Sequence, residues 1–158
     1  MPALRVAHHN NCPRCPVFGA EDIPGSECFE LRALRFNLQV ARGLCRKSML
    51  HRVDRRGLEN WLEHVLIDVL HIDHLPRDLG PGIMVTLPGG VGRPLIDGNH
   101  RAARALREGT EFVVYLLPEP ETLELLRRSM GHTTADHLWN RLYLAKPHPN
   151  DVQEGEER

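Results

Sequence analysis

The chain of 158 residues has no long apolar run. Nothing in it approaches the length of a membrane span, so no membrane partner is expected. The first residues, Met1-Pro2-Ala3-Leu4-Arg5-Val6, turn polar at His8-His9-Asn10-Asn11. They lack the apolar centre of a signal peptide, and the expected location is the cytoplasm. Charge of one sign is also missing, because the formal net charge is -1. A near-neutral chain has no general attraction for nucleic acid, so any anion site must be local. There are only 4 cysteines, and in a protein of this expected location they read as thiols or metal ligands rather than as a disulfide framework. No internal repeat is present. Length and composition fit one soluble globular domain with a real core.

What remains is punctuated by proline and glycine. Residues 1–30 read as an irregular segment holding His8, His9, Cys12, Cys15 and Cys28. The pair Cys12-Pro13-Arg14-Cys15 has the spacing at which one turn presents two thiolates to a zinc ion. Cys28, Cys45, His8 or His9 could complete a set with Cys12 and Cys15, although no second Cys-x-x-Cys exists. Structural Zn²⁺ and free or redox-active thiols both fit this pattern.

Leu34, Phe36, Leu38 and Val40 alternate with polar residues, which predicts a strand. Phe36, Val40 and Leu44 would also suit a helix face. Asp54 reads as an N-cap, with Leu58, Trp61, Leu62, Val65, Leu66 and Val69 following at helical spacing and the helix ending before Pro76. Gly80, Pro81 and Gly82 read as loop, Ile83 to Leu87 as strand, and Pro88 to Arg93 as a hairpin turn. A helix from Asn99 is expected to close at Gly109, followed by a strand over Phe112 to Leu117. Pro120 suits the first position of another helix, which Gly131 ends. Thr133 or Thr134 would cap a last helix carrying Leu138, Trp139, Leu142 and Tyr143, and residues 146–158 have the composition of a disordered tail.

The most specific stretch is Pro94-Leu95-Ile96-Asp97-Gly98-Asn99-His100-Arg101-Ala102-Ala103-Arg104-Ala105-Leu106. A strand runs through a tight turn directly into a helix. Free N–H groups and the positive end of the helix dipole meet an amide, an imidazole and a guanidinium at that turn. Asp97 could cap the helix, ligate Mg²⁺ or act as a general base. His100 could donate to a phosphate or shuttle a proton. Arg101 offers a planar fork, and Arg104 lies one helical turn away. Trp61 and Trp139 read as core residues, while His71, His74, His132 and His137 read as surface or satisfied histidines. The basic cluster Arg42, Arg46, Lys47, Arg52, Arg55 and Arg56 is either a solvated face or a second phosphate- or nucleic-acid-binding wall facing the turn.

The order of hairpin, strand, Asp97-Gly98-Asn99-His100-Arg101 helix, Gly109 and strand Val113–Leu117 resembles the ParB/sulfiredoxin-like superfamily, which includes the ParB N-terminal or "ParB-like nuclease" domains. The resemblance covers residues 80–118 best. It implies an α+β fold with a small mixed sheet, a strand–turn–helix phosphate loop and helical additions at both ends. The domain would span residues 31–145, with C-terminal helices over 120–145. It further implies a nucleoside phosphate (CTP, ATP or ADP) on the backbone of Gly98 and Asn99 and on the side chains of His100 and Arg101, with Arg104 adding charge. Mg²⁺ would accompany the nucleotide. Asp97 and His100 would be the catalytic pair for any NTPase or phosphotransfer activity.

Three departures bear on that chemistry. Asn99 stands where a sulfiredoxin has its reactive cysteine. The residues after Leu117 show no basic recognition helix of the ParB kind. Asp97 is the one clear carboxylate of the motif, whereas metal nucleases converge several. Two rivals follow: a non-catalytic module binding protein or DNA, and an interaction domain stabilised by zinc at the N-terminal cysteines.

Overall fold

Asn37 decides where the first helix begins. In the computed structural model, which describes residues 4–5, 28–67, 72 and 80–144, the Asn37 side chain accepts a hydrogen bond from the Val40 backbone N–H at 3.1 Å. The alternating strand β3 (Leu34–Asn37) therefore stops, and α1 (Leu38–Leu44) starts. The strand expectation over 34–40 holds as far as Asn37. Beyond it, Leu38 and Ala41 are buried three residues apart, a helical spacing. The strand β2 (Cys28–Leu31) pairs antiparallel with β3. The short strand β1 (Leu4–Arg5) pairs parallel with β5 (Val65–Leu66). Within the segment read as irregular, Leu4–Arg5 and Cys28–Glu30 are thus strand.

Asp54 does cap α2 (Arg55–Leu62), accepting from Gly57 N–H at 3.3 Å. The helix is shorter than its apolar stripe suggests. Val65 and Leu66 leave it to pair with β1, a partner some sixty positions away that local spacing cannot reveal. Val69 and Pro76 lie outside the described residues.

The central sheet has the order β4–β8–β6–β7, formed by β4 (Leu50–Arg52), β6 (Gly82–Val85), β7 (Leu95–Asp97) and β8 (Val113–Leu117). β6 and β7 form an antiparallel hairpin, and β8 returns parallel to β6 after α3 (Asn99–Glu108). The hairpin turn closes through Val85 N–H to Pro94 O at 3.1 Å and Leu87 N–H to Gly92 O at 2.9 Å.

Both faces of this sheet are covered. Ile83, Val85, Ile96 and Leu117 belong to one core with Phe36, Leu125, Leu126 and Trp139, the last three carried by α4 (Glu119–Met130) and α5 (His132–Leu144). Leu95, Val114 and the partly buried Met84 belong to the other core, with Leu58 of α2 and Ala102 and Ala105 of α3. Alternate residues along each strand serve opposite cores, which is why Val113–Leu117 is apolar throughout.

Buried Thr122 links the sheet to α4. Its hydroxyl accepts from Thr86 N–H at 3.1 Å and lies 2.9 Å from Pro118 O. Pro120 occupies the second position of α4, since Glu119 is the first. Gly131 separates α4 from α5 as expected. α5 begins at His132, however, so Thr133 and Thr134 sit in its first turn and the Gly131 carbonyl opens the ladder to Ala135 N–H at 3.0 Å. Residues 146–158, read as a tail, lie outside the described residues. Among the described residues no helix is long and apolar enough to cross a membrane.

Candidate functional site

The turn between β7 and α3 is built by two glycines touching backbone to backbone. Gly98 has φ +95°, a left-handed conformation that side chains disfavour. A Cβ on Gly98 would sit 3.0 Å from Gly82 Cα, and a Cβ on Gly82 would sit 2.7 Å from the Asp97 carbonyl oxygen. Only hydrogen fits at either place. Gly82, expected as loop, is the first residue of β6 and floors the turn.

Gly98 is the N-cap of α3 and supplies no side-chain cap; the first turn holds no acidic residue. The helical ladder starts with Ala102 N–H to Gly98 O at 2.8 Å. The N–H groups of Asn99, His100 and Arg101 precede it and lie at the positive end of the helix.

Asp97 does not cap this helix, contrary to one of its expected roles. Its Oδ1 faces Arg101 Nη2 at 3.4 Å, and its Oδ2 faces Arg42 Nη2 at 3.2 Å and Nε at 3.4 Å. The two guanidinium groups arrive from different elements, α3 and α1. Arg101 also donates through Nη1 to the carbonyls of Gly80 at 2.8 Å and Pro81 at 3.2 Å, and its side chain is only 16% exposed. It therefore ties the chain entering β6 to the start of α3. Arg42, by contrast, is 44% exposed.

Asn99 turns its side chain inward. Its amide donates to Leu95 O at 3.0 Å and accepts from the Trp61 indole N–H at 2.6 Å. Asn99 can thus face a ligand through its backbone N–H, with its side chain engaged beneath the turn. His100 is buried at the same turn. Arg104 lies along the helix, paired with Glu108 at 3.4 Å. The structure accordingly brings together Asp97, Gly98, Asn99, His100 and Arg101, and adds Arg42 and Gly82.

The basic cluster disperses. Arg42 reaches the turn, whereas Arg46 pairs with Glu121 at 2.7 Å, Arg52 with Glu111 at 3.3 Å and Arg55 with Glu59 at 3.2 Å. Exposed pairs of this kind contribute little to stability. Trp61, read as a core residue, packs against Phe29 with ring centroids 6.4 Å apart and also donates to the turn.

Cys12 and Cys15 lie outside the described residues. Cys28 is half-buried on β2, opposite Asn37. Among the described residues no group of three or more His, Cys, Asp or Glu side chains is placed to hold a metal ion.

Cys45 adds a feature that sequence reading did not place at this site. It follows α1, and its thiol donates to Ala41 O at 3.2 Å. Burial first, and then the Asp97 carboxylate, push the thiol up to about 11, with Arg42 opposing. The thiolate is the reactive form, so Cys45 should be sluggish at neutral pH. Its alkylation by iodoacetamide, followed by mass spectrometry of the Cys45 peptide, is expected to keep accelerating above pH 9. Asp97→Asn should move that profile to lower pH and Arg42→Ala to higher pH. An unshifted profile in both variants would exclude the electrostatic coupling.

Comparison of the chain with protein-family models, with curated proteins and with solved structures found no match to any of them.

Proposed function

We propose that this chain binds a nucleoside phosphate at the turn Asp97–Arg101, in the manner of the ParB/sulfiredoxin-like superfamily that its motif resembles. The observation that carries the reading is the start of α3. A helix of ten residues begins on a left-handed glycine, with no side-chain cap and no acidic residue in its first turn. Such a helix start has N–H donors for phosphate oxygens. The charges beside it have the matching sign, since one carboxylate, Asp97, faces two guanidinium groups, Arg42 and Arg101.

Backbone N–H groups of Asn99 and His100 would contact the phosphate, with Arg42 closing over it. Mg²⁺ would travel with the nucleotide, and Asp97 is the carboxylate at the turn that could meet it. The Asn99 side chain is amide rather than thiol and faces inward, which is incompatible with a sulfiredoxin-type attack at that position. Both Asp97 oxygens are already engaged by guanidinium groups, Oδ1 by Arg101 and Oδ2 by Arg42, so its carboxylate serves as an ion-pair partner. Binding is therefore the primary activity proposed; hydrolysis or transfer is secondary.

The test is calorimetric titration of the folded protein with CTP, ATP and ADP, each with and without Mg²⁺. At least one is expected to bind, with affinity falling as salt rises. A folded protein that binds none of them overturns the proposal. Phosphate release, followed in parallel, separates a hydrolase from a binder.

A further inference from the structure

We infer that Trp61 is a positioning residue for the phosphate site: from α2, its indole N–H holds the Asn99 side chain and so fixes the first turn of α3. The inference rests on the proposed phosphate site for its functional consequence, but its structural half can be measured without any ligand.

Asn99 is the first residue of α3 and is only 4% exposed. A buried amide needs partners for both its oxygen and its nitrogen. Here Trp61 Nε1–H gives 2.6 Å to Oδ1, and Leu95 O takes Nδ2–H at 3.0 Å. Leu95 is on β7, just before the turn. The Asn99 side chain thereby joins three elements, the strand entering the turn, the helix leaving it, and α2 behind them. A second bond from α2 reaches the other end of α3, where Arg55 Nη2 donates to Leu106 O at 3.0 Å. Helix α2 thus holds α3 at its first residue and in its last turn. The N–H groups at the start of α3 keep their direction only as long as that hold persists.

The bond joins residues 38 positions apart. An apolar residue at position 99 would take the acceptor from the Trp61 N–H and one donor from the Leu95 carbonyl, a cost that an amide avoids.

The experiment uses Trp61→Phe, which keeps an aromatic ring against Phe29 and removes the N–H donor. Without ligand, hydrogen exchange of the Ala102 amide, the first ladder bond of α3, should speed up about tenfold, while the Val114 amide in β8 is unchanged. With Mg²⁺-CTP or Mg²⁺-ATP, whichever the wild type binds, affinity should fall severalfold at an unchanged phosphate-release pH profile. In the wild type, the Trp61 indole ¹⁵N–¹H resonance, assigned by its loss in the variant, should shift on titration while that of Trp139 stays. If Trp61→Phe does not fold, Asn99→Ala supplies the comparison from the other side of the bond, since it removes the acceptor of the indole N–H and leaves the Trp61 ring in place. Equal Ala102 exchange in variant and wild type overturns the inference whether or not a nucleotide binds. Faster Ala102 exchange in the variant, together with a wild type that binds no nucleotide, supports the structural hold and instead overturns the phosphate site.

Discussion

Replacing Gly82 by alanine is expected to destabilise the protein by roughly 1–3 kcal/mol, the usual cost of overpacking. The new Cβ would lie 2.7 Å from the Asp97 carbonyl oxygen, 2.9 Å from Phe112 Cζ and 3.3 Å from Leu95 Cδ1. The phenyl ring and the leucine methyl could yield by rotation. The carbonyl cannot, because it belongs to β7, which pairs with β6 at that residue through Ile83 opposite Asp97. Relief therefore requires the hairpin to open beneath the turn, and the substitution should weaken the proposed phosphate site as well as the fold. Gly57→Ala is the matched control. Nothing lies within 4 Å of a Cβ at Gly57, which is inside α2, so alanine there should be neutral or stabilise by up to about 1 kcal/mol. Urea unfolding midpoints compare the two. A Gly82→Ala midpoint equal to the wild type would mean that the two glycines do not need their close approach.

That contrast shows which parts of the molecule local sequence could announce. The Asp54 cap, the hairpin turn at Pro88–Arg93, the run Val113–Leu117 and Gly109 as the left-handed end of α3 were legible, because each depends on residues a few positions apart. The mixed α+β class follows from the same local signals. What escaped depends on partners far along the chain. Val65 and Leu66 look helical until Leu4–Arg5 comes alongside. Gly82 looks like any loop glycine until Asp97 lies against it. Trp61 has the spacing of a core residue, and its polar duty appears only when Asn99 arrives from 38 residues away.

The candidate site divides in the same way. Asp97-Gly98-Asn99-His100-Arg101 was visible as a motif, but the division of labour inside it was not. Asp97 was open as a cap, a Mg²⁺ ligand or a base; the structure removes the cap, because the turn places Gly98 at the N-cap and leaves the carboxylate between two arginines. Arg42 was one of six basic residues with nothing to set it apart. Its bond to Asp97 spans 55 positions.

Arg42 and Arg101 are therefore expected to fail in opposite ways when truncated. Arg101 is mostly buried, with contacts to Gly80 O, Pro81 O and Asp97. Arg101→Ala leaves two backbone carbonyls and one carboxylate short of a donor, a loss of about 1–3 kcal/mol that thermal or urea unfolding would read directly. Arg42 is 44% exposed, and an ion pair at such exposure contributes about 0–1 kcal/mol. Arg42→Ala should leave the unfolding midpoint nearly where it was. On the proposed reading, the same weak attachment would let Arg42 exchange its carboxylate for a phosphate at little cost. A charge-assisted contact of about 1.5–3 kcal/mol then corresponds to at least a tenfold loss of nucleotide affinity in Arg42→Ala, together with a shallower salt dependence. Arg101→Lys sharpens the comparison, since it keeps a charge near Asp97 but cannot span the carbonyls as a planar fork does. If Arg42→Ala binds nucleotide as tightly as the wild type, while a folded Arg101→Lys binds none, the phosphate contact belongs to Arg101 and the assignment to Arg42 is wrong.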